Sequence, residues 1–473
     1  MVKLETLISL AKRRGFIFQS SEIYGGLNGC WDFGPLGVEL LRNLKEIWWK
    51  SMTYREDIEG IDASILMHPK VWEASGHVAQ FTDPMIDNKI SKARYRADNL
   101  IEEYIERLRN KNKTELANEI EAKLSSASKP SDYYDIIVEY KIPDPVSGTT
   151  EWTEVRYFNL MFKTFIGAVE DASSVVYLRP ETAQGIYVNF KNVLETARQK
   201  IPFGIAQIGK AFRNEINTKN FLFRTREFEQ MEMQYFVKPG TENEWFDYWM
   251  NERYEWYLSL GFKKETLRFK VHEKLAHYAN RAVDIEYLFP FGWGEIEGIH
   301  SRTDYDLRNH QEYSGKKLEY FDPTTNERYI PYVVETSGGV TRTAMALLCN
   351  AYDEDMAPTE KGDLEKRTVL RFDPRFAPIK VAVFPLVNKD GMPELALKIY
   401  KDVQKHFKAM YDDSGAIGRR YRRQDEIGTP FCITVDGQSL ADNTVTIRDR
   451  DTMKQIRINV DNIITYLKDN LII

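Results

Sequence analysis

Arginine, acidic and aromatic residues are concentrated between Gly204 and Phe236, in the stretch GIAQIGKAFRNEINTKNFLFRTREFEQMEMQYF. Alternation of apolar and polar residues predicts two strands there, Ala206 to Ile216 and Phe228 to Phe236, joined by a polar loop that carries arginines. A guanidinium group binds phosphate or carboxylate, a nearby carboxylate accepts from an amino group, and a phenyl ring stacks on a base. The combination predicts a nucleotide site without a glycine-rich phosphate loop.

Each of the two predicted strands has a polar and an apolar face. The polar face would carry Gln207, Arg213 and Glu215 from the first strand and Phe228, Gln230, Glu232 and Gln234 from the second. The opposite face is isoleucine, phenylalanine, methionine and tyrosine. We expect the apolar face to be core and the polar face to meet solvent, and an ordinary hairpin with a solvated face is the alternative.

The words FRNE and FRTREFEQME, separated by an arginine-bearing loop, resemble motif 2 of the class II aminoacyl-tRNA synthetases. The wording is similar to that of the homodimeric family of glycyl-tRNA synthetases. Four other long words, FNLMFKT, LRPETAQGI, RTDYDL and AYDEDMAPTEKG, extend the resemblance over nearly the whole chain. It implies ATP-dependent ligation of glycine to tRNA(Gly) through a glycyl-adenylate, with ATP as substrate and Mg²⁺ as its companion ion.

Composition restricts the possible partners and compartment. The chain has 473 residues, with 65 basic against 71 acidic, so its net charge of −6 argues against a general nucleic-acid coat and leaves only local basic patches for RNA. Cys30, Cys349 and Cys432 form no CxxC pair, which predicts neither a disulfide framework nor a zinc knuckle and fits a reducing cytoplasm. No apolar run reaches membrane-spanning length, so we expect no membrane partner.

The segment before residue 88 is expected to hold motif 1. An apolar stripe predicts a helix from Val38 to Met52, and the next stretch, ILMHPKVW with Pro69, reads as a strand. Such a stripe usually packs inside one chain. In class II enzymes motif 1 builds the dimer interface, so the resemblance implies a homodimer.

Residues 88–155 differ in character and are predicted to form an inserted subdomain. Apolar residues from Ile101 to Leu124 recur at helical spacing and predict one or two helices, ended by SSASKPSD and followed by a short strand, VEYKI. The word ARYRADNL resembles the family segment that brings an arginine, here Arg96, toward the substrate. Paired cysteines found in some relatives are missing from DNKISKARYRAD, which argues against a metal in the insertion.

Glu181, in RPETAQG, follows Pro180 at a predicted turn from strand to helix. An acidic residue in a first helical turn commonly just offsets the helix dipole. The resemblance implies instead that this carboxylate contacts the amino-acid substrate.

The third block, YIPYVVETSGGVTRTAMALLCNAYDEDM, resembles motif 3, although TSGGVTR replaces the usual wording. It predicts a buried strand from Tyr332 to Glu335, a sharp turn at Gly338 and Gly339, and a helix behind them. Arg342 would lie in the first turn of that helix, where a cation opposes the dipole unless an anion such as the γ-phosphate of ATP is bound.

GWGEIEG supplies Glu295 and Ile296, which match the family's ATP-contact pair. Glu295 is predicted to hold Mg²⁺ on the triphosphate, since hard carboxylate oxygens suit that ion. An exposed glutamate at a strand end is the alternative. We predict two helical segments whose aromatic residues pack in the core: the preceding GTENEWFDYWMNERYEWYLSLG, and GWGEIEGIHSRTDYDLRNH.

The resemblance assigns two sets of binding residues and a catalytic subset. Arg213, Arg342 and Glu295 would be catalytic, with Arg213 on the α-phosphate. The ATP set is Arg213, Asn214, Glu215, Phe223, Arg224, Thr225, Arg226, Glu227, Phe228, Glu295, Ile296, Gly339, Val340, Thr341 and Arg342. The glycine set is Arg96, Glu181, Phe228, Gln230, Glu232, Glu335, Ser337 and Gly339.

The expected fold is α+β: a class II catalytic domain built on an antiparallel sheet, a helical insertion and a C-terminal α/β domain. We divide the chain into catalytic segments 1–87 and 156–373, the insertion 88–155, and an anticodon-binding domain 374–473, where strands and helices alternate. Within that last domain the basic cluster Arg419, Arg420, Arg422 and Arg423 surrounds Tyr421; it is either a solvated surface or a contact for single-stranded RNA.

Two rival functions stay open at this level. The first is a prolyl, threonyl, histidyl or seryl enzyme on the same scaffold, against which the acidic words ETS and RPETAQG favour glycine. The second is a non-catalytic, synthetase-like dimer that binds nucleic acid. Such a protein would be expected to lose motif arginines, whereas Arg213, Arg224 and Arg342 are all present.

Overall fold

The computed structural model describes residues 2–171, 173–273, 275–276, 278–358 and 363–471. The chain divides into two compact units. The first unit consists of Met1–Ser64, Glu181–Ala211 and Thr218–Ile473, and the second of Ile65–Pro180 and Phe212–Asn217.

The first unit begins with two amphipathic helices separated by a small hairpin. Its elements are α1 (Leu4–Arg13), β1 (Ile17–Gln19), β2 (Trp31–Phe33), α2 (Pro35–Thr53) and β3 (Ile58–Gly60). The predicted stripe helix is confirmed as α2, which starts on Pro35 because a proline lacks the N–H that a first helical turn leaves unpaired. Its residues Leu40, Leu44 and Trp48 are buried in the main core of this unit.

The second unit contains the predicted insertion. Its elements are α3 (Pro69–Ala74), α4 (His77–Gln80), β4 (Thr82–Asp87), β5 (Arg94–Arg96), α5 (Ala97–Asn110), α6 (Thr114–Ser126), α7 (Pro130–Glu139), β6 (Arg156–Asn159), β7 (Lys163–Phe165) and β8 (Val175–Tyr177). Strands β5, β4 and β6 form one small sheet, and β7 pairs with β8.

Three of our element predictions in the second unit are wrong. ILMHPKVW is not a strand, because only Leu66 makes an isolated bridge and α3 begins at Pro69. The insertion has three helices instead of one or two, since Pro130 starts α7 in the middle of the segment that was expected to end the helical part. VEYKI is the last turn of α7 and the residues after it, and its Ile142 packs into the helical core.

The first unit resumes with the elements that carry the site. They are α8 (Ala183–Thr196), β9 (Phe203–Phe212), β10 (Glu227–Val237), α9 (Glu242–Ser259), β11 (Leu267–Val271), β12 (Arg281–Phe289), β13 (Gly292–Thr303), α10 (Tyr305–Ser314), β14 (Tyr320–Asp322), β15 (Glu327–Tyr329), β16 (Tyr332–Gly339), α11 (Val340–Ala351), β17 (Tyr352–Pro358) and β18 (Leu364–Leu370). The segment from GWGEIEG onward, expected to be helical, is the strand β13 followed by α10.

A seven-stranded sheet in the order β11-β12-β13-β16-β10-β9-β3 is the centre of the first unit. Neighbouring strands from β11 to β10 are antiparallel, and β3 is parallel to β9. One side of this sheet, with Met231, Met233 and Ile299, packs into the main core. The expected apolar face of β10 is therefore confirmed.

The other side of the sheet carries two rows of side chains that we call the polar face. The strand register aligns the two rows as Glu232, Ser337, Gly298 and Asp284, and as Gln234, Glu335, His300 and Ala282. We expected this side to meet solvent, and that is wrong: Glu232 is 2% exposed and Gln234 is fully buried. Buried polar groups must be hydrogen-bonded to be stable, so Glu232 and Gln234 belong to a buried network and not to a wet surface.

The first strand of the central hairpin is shorter than predicted. β9 ends at Phe212 instead of Ile216, so Arg213 and Glu215 do not share a strand face with Gln207. Gln207 itself is fully buried, where it accepts from the Ala63 N–H at 2.6 Å and donates to the Thr182 carbonyl at 2.9 Å. Strand β10, predicted as Phe228 to Phe236, extends one residue further at each end.

A β-bulge in β13 places Glu295 on the polar face. Ile285 lies opposite Glu297, but the next pair is Glu286 with Glu295, so Ile296 is an extra residue. Regular pairing would put Ile296 opposite Glu286 and turn Glu295 to the other side, because directly opposed residues share a face. The side chain of Ile296 lies instead in the main core.

Gly338 and Gly339 are the end of strand β16 and do not form the predicted turn; α11 follows them directly. Gly338 packs closely against two neighbouring side chains. A Cβ there would lie 2.9 Å from Met231 Cε and 3.3 Å from Glu297 Oε2.

The C-terminal region has its own core and a mixed five-stranded sheet, ordered β20-β19-β21-β22-β23. Its elements are β19 (Val381–Pro385), α12 (Met392–Val403), β20 (Ala409–Tyr411), α13 (Ile417–Ile427), β21 (Phe431–Val435), α14 (Gly437–Asp442), β22 (Thr444–Asp449), β23 (Gln455–Asn459) and α15 (Ile463–Leu471). The predicted alternation of strands and helices is confirmed, and β22 and β23 form an antiparallel pair. The helix after Pro393 ends at Val403, so Phe407 and Met410 lie beyond it.

Much of the predicted basic cluster on α13 is engaged within the protein. Arg420 is 3% exposed and donates to the carbonyls of Pro385, Asp413 and Gly415. Arg423 donates to Asp412. The Tyr421 hydroxyl lies 2.6 Å from Thr434 Oγ1. These contacts favour the structural reading of Arg420, Tyr421 and Arg423 over a role in RNA stacking.

A buried ion pair joins α9 to the core side of the sheet, and it supplies a stability test. Arg253 Nε donates to Glu297 Oε1 at 2.6 Å, and the two side chains are 3% and 1% exposed. Glu297→Ala leaves the guanidinium buried without its carboxylate, so it is expected to destabilise the chain by about 3–5 kcal/mol. Urea unfolding followed by tryptophan fluorescence measures the change.

The double variant Arg253→Met with Glu297→Leu is the matched control for that prediction. It replaces both charges with apolar groups, so it should recover most of the lost stability. Equal stability of Glu297→Ala and the parent chain would contradict the structural role of the pair.

Candidate functional site

Two buried glutamates on the polar face are held by one amide. Gln234 Nε2 donates to Glu232 Oε1 and to Glu335 Oε2, each at 2.8 Å. The Tyr187 hydroxyl donates to Gln234 Oε1 at 2.6 Å, which fixes the amide with its NH₂ toward the carboxylates. The shared amide holds the two acidic side chains at a fixed separation, close to Ser337, which lies opposite Glu232 in the sheet.

Glu335 is the charged member of this pair. Arg302 Nη1 donates to its Oε2 at 2.9 Å, and His300 Nδ1 lies 3.0 Å from its Oε1. Burial alone would raise the pKa of Glu335, but the positive charge of Arg302 and the neighbouring His300 outweigh it and hold the pKa below its usual range. Glu335 is therefore ionised inside the protein at neutral pH.

The pKa of Glu232 is shifted in the opposite direction. Thr182 Oγ1 donates to its Oε2, and the side chain is almost fully buried. Burial, reinforced by the negative charges of Glu335 and Glu181, raises the pKa of Glu232 well above its usual range. Strongly shifted carboxyl pKa values cluster at functional sites, so these two glutamates mark a candidate binding site.

A second set of contacts joins Glu181 to this cluster. Gln184 Nε2 donates to Glu181 Oε1 at 2.8 Å and to Asp306 Oδ1 at 3.0 Å. Asp306 in turn pairs with Arg302, at 2.8 Å and 3.1 Å. His310 lies 2.7 Å from Gln184 Oε1. Glu181 itself precedes α8 instead of occupying its first turn, since the helix begins at Ala183.

The other predicted glycine contacts on the polar face are connected to the same cluster. Gln230 Nε2 donates to Ser337 Oγ at 3.2 Å, and Gln230 Oε1 accepts from the Thr182 N–H at 3.2 Å. Gly339 lies opposite Gln230 in the sheet. The structure thus brings Glu181, Gln230, Glu232, Glu335, Ser337 and Gly339 together.

Arg342 organises the predicted ATP side of the first unit. Its Nε donates to the Phe223 carbonyl at 3.0 Å, its Nη1 lies 3.0 Å from Glu295 Oε2, and its guanidinium lies 4.4 Å from the centre of the Phe223 ring. Gly294 makes room for that ring, because a Cβ there would lie 2.7 Å from Phe223 Cε2. Three predicted ATP residues from separate parts of the chain therefore meet.

The rest of the predicted ATP set in this unit lies at the ends of the strands and in the loop between β9 and β10. Arg226 donates its backbone N–H to the Gly29 carbonyl at 2.8 Å, and Thr341 Oγ1 accepts from the Glu229 N–H at 3.3 Å. The backbone of Arg224 forms an isolated antiparallel β-bridge with that of Lys219, and the side chain of Phe228 is half-buried in β10. The Thr225 hydroxyl donates to the Glu227 carbonyl, and the Glu227 side chain pairs with Lys210. The side chains of Val340 and Ile296 pack in the main core.

Four predicted site residues belong to the second unit: Arg96, Arg213, Asn214 and Glu215. Arg96 pairs with Asp98 at 2.6 Å and with Asp83 at 3.0 Å. Arg213 Nε donates to the Pro180 carbonyl at 3.1 Å, and its guanidinium lies 5.3 Å from the Phe81 ring centre. Asn214 and Glu215 follow it.

Asn214 also lines an open cavity of about 550 Å³ in the second unit, together with Asn159, Phe162 and Tyr177. The backbone N–H of Asn214 donates to the Leu160 carbonyl at 2.7 Å, and the Glu215 N–H to the Arg213 carbonyl at 2.6 Å. These bonds fix the backbone from Arg213 to Glu215 within its own unit.

Sequence reasoning missed Arg302, His300 and Gln234. The word RTDYDL, quoted for its specificity, contains Arg302 at the end of β13 and Asp306 in the first turn of α10, and the two side chains pair across the turn between these elements. Gln234 was placed on the right strand face but not in the site. His300 gave no signal, because a single histidine in a strand is more often structural than functional.

Comparison with known proteins decides the family. A glycine–tRNA ligase of Chlorobaculum tepidum is 58% identical over 99% of this chain and 100% of its own length. Those of Treponema denticola and Staphylococcus haemolyticus are 54% and 52% identical, over 99% and 100% of this chain and 97% and 100% of their own lengths. The chain belongs to the glycine–tRNA ligase family.

Three family models match successive parts of this family member. The tRNA synthetase class II core domain (G, H, P, S and T) matches residues 165–351, the glycyl-tRNA synthetase insertion domain 1 matches 83–127 and 113–160, and the anticodon binding domain matches 380–470. The resemblance and the expected fold class are confirmed. Among the described residues of this ligase, no helix has both the length and the apolar content needed to cross a membrane.

The opposite states of the two buried glutamates can be measured in the free ligase. Because burial and its acidic neighbours raise the pKa of Glu232, we expect this group to be protonated at pH 7 and to ionise only as the pH rises through that raised value. Infrared spectroscopy of the full chain should show a protonated-carboxyl band at pH 7.

The matched variants for that spectrum are Glu232→Gln and Glu335→Gln. The first should remove the band at pH 7 and the second should leave a protonated-carboxyl band in place. A spectrum of Glu232→Gln identical to that of the parent chain would show that the band belongs to another group.

Proposed function

We propose that this chain joins glycine to ATP to form glycyl-adenylate and pyrophosphate, and then transfers glycine to the terminal ribose of tRNA(Gly). The observation that carries the proposal is the buried cluster of Glu232, Gln234 and Glu335. A desolvated carboxylate that is fixed in place, here Glu335, suits a small ammonium group, because the positive charge replaces the solvation that the carboxylate has lost. Glu232 would supply a second carboxylate when the ammonium group enters and this glutamate gives up its proton.

The first step needs orientation and charge stabilisation but no general base. The carboxylate of glycine is already an anion, so it attacks the α-phosphorus once it is held in line with the leaving pyrophosphate. Negative charge grows on the phosphoryl oxygens, and fixed guanidinium groups stabilise it. From the family resemblance we assign Arg213 to the α-phosphate and the incoming carboxylate, and Arg224 and Arg342 to the outer phosphates.

The Arg342–Glu295 pair fits an ATP site that changes partners on binding. The side chain of Glu295 is 46% exposed and that of Arg342 24% exposed, so both can reach a ligand. A triphosphate would bind Arg342, and the freed Glu295 carboxylate would hold Mg²⁺, which neutralises phosphate charge. Phe228 would stack on adenine and Glu215 would accept from its amino group; Asn214, Phe223, Thr225, Arg226, Glu227, Ile296, Gly339, Val340 and Thr341 complete the proposed ATP set.

The glycine end would be formed by Glu181, Gln230, Glu232, Glu335 and Ser337, and the family resemblance implies Arg96 as a further contact. Glycine is the smallest amino acid, so each competitor adds atoms to a close-packed buried cluster. A pocket that must reject a smaller rival is limited to roughly 10- to 200-fold discrimination, and glycine has no smaller rival.

The remaining assignments also form part of the proposal. We retain the division into 1–87, 88–155, 156–373 and 374–473, a homodimer that uses motif 1, tRNA binding by the C-terminal domain, and a cytoplasmic location. They rest on the family resemblance and on the C-terminal match to the anticodon binding domain.

ATP–pyrophosphate exchange with single amino acids tests the reaction. We expect exchange with glycine and none of comparable rate with alanine, serine, proline, threonine or histidine. Faster exchange with another amino acid would support a different class II specificity. No exchange with any of them would support the non-catalytic alternative.

Gln234 supplies a sharper test of the glycine end. Gln234→Leu keeps much of the side-chain volume but removes the donor that the two carboxylates share. Hydrogen bonds to charged groups contribute about 1.5–3 kcal/mol, so the KM for glycine should rise about 10- to 100-fold while the KM for ATP stays unchanged.

Gln199→Leu is the matched control, because it removes a glutamine that contacts Glu59 away from the polar face. It should leave both KM values at the parent level. A Gln234→Leu variant with a normal KM for glycine would contradict the role of the bridge.

A further inference from the structure

Three potential metal ligands lie together at the β11 end of the polar face. One ligating atom from each of His272, Asp284 and His300 lies within 4.8 Å of the other two. His272 Nε2 is 2.8 Å from Asp284 Oδ2, and the two imidazole rings meet edge to face with centres 5.9 Å apart. No other such group of three occurs in the part of the chain that the structure describes.

The strand register explains why these side chains meet. Asp284 lies opposite Gly298, and His300 lies opposite Ala282. The backbone N–H of His272 donates to the Ala282 carbonyl at 3.2 Å, which places His272 beside the same row. The two small residues leave room between the three ligands, and a Cβ on Gly298 would lie 2.7 Å from His300 Cε1.

We propose that His272, Asp284 and His300 bind one zinc ion. Two imidazole nitrogens and one carboxylate oxygen are a common zinc ligand set, which leaves a fourth position for water or a ligand. Imidazole favours zinc over magnesium, which prefers carboxylates and retained waters. The proposed zinc site therefore differs in its ligand set from the site of the Mg²⁺ ion that would accompany ATP.

Surrounding charges favour a cation here. Glu295 adds negative charge near Asp284, and Glu335 lies beside His300. Lys270 lies opposite Asp284 in the strand register, where it pairs with Glu286 at 3.6 Å, and Arg302, whose charge acts on His300, pairs with Asp306. His272 Nε2 is buried and lies close to Asp284 Oδ2 without the alignment of a hydrogen bond, so a metal would satisfy a group that the protein leaves poorly paired.

The proposed ion would be coupled to the acid cluster through His300. Metal-bound histidines usually donate their second nitrogen to a carboxylate, which fixes the ring and strengthens the ligand. His300 Nδ1 already lies 3.0 Å from Glu335 Oε1, so zinc on Nε2 gives that arrangement. The proposal does not depend on the function proposed above, because metal binding can be measured without either substrate.

The test is a titration of untagged, full-length, metal-free chain with zinc chloride, without ATP or glycine, read by calorimetry and by metal content after gel filtration. We expect one zinc ion per chain. His272→Ala and Asp284→Asn should abolish this stoichiometric binding, and Glu335→Gln should weaken it about 10- to 100-fold as loss of a carboxylate behind a ligating histidine does.

His406→Ala is the matched control, since it removes a histidine of the C-terminal region and should still bind one zinc ion. X-ray absorption of the loaded chain should show only nitrogen and oxygen ligands at about 2.0–2.2 Å. Failure of the parent chain to bind zinc would overturn the proposal. So would equal binding by the folded His272→Ala and Asp284→Asn variants, or sulfur ligands in the absorption spectrum.

Discussion

The site depends on one interaction, the buried contact between the Arg302 guanidinium and the Glu335 carboxylate. The positive charge of Arg302 helps to lower the pKa of the buried Glu335, and the negative charge of Glu335 helps to raise the pKa of the nearby Glu232. A buried pair of this kind contributes little stability by itself, and removing either member leaves an uncompensated charge. The pair instead determines the charge of a buried side chain in the polar cluster.

The sheet converts this local chemistry into an ordered surface. Because opposite residues of antiparallel strands share a face, β10, β16 and β13 bring Gln234, Glu335 and His300 into one row. The bulge at Ile296 adds Glu295 to the same face, next to Arg342. The groups that we propose to bind an amino acid and a triphosphate thus lie on one sheet, and a fixed scaffold of this kind favours catalysis by orientation.

Local pattern predicted much of this fold, because strand alternation and helix stripes are encoded within a few residues. Gln230, Glu232 and Gln234 were placed on the correct face of β10, and α2 and the C-terminal alternation were found. The burial of that face was not predictable, since its cover comes from distant residues such as Thr182 and Arg302. Strand register and strand ends cannot be predicted from one strand alone. The bulge moves Glu295 to the other face of the sheet, and β9 ends at Phe212, so Arg213 lies outside the strand.

Calorimetry of glycine binding to the full chain tests the central claim most directly. An ammonium group that enters the cluster should ionise Glu232, so binding at pH 7 is predicted to release a proton into the buffer. The observed enthalpy should then differ between two buffers of unequal ionisation enthalpy at the same pH, and Glu232→Gln should abolish the difference. Identical enthalpies in both buffers for the parent chain would contradict a neutral Glu232 that gives up its proton to receive glycine.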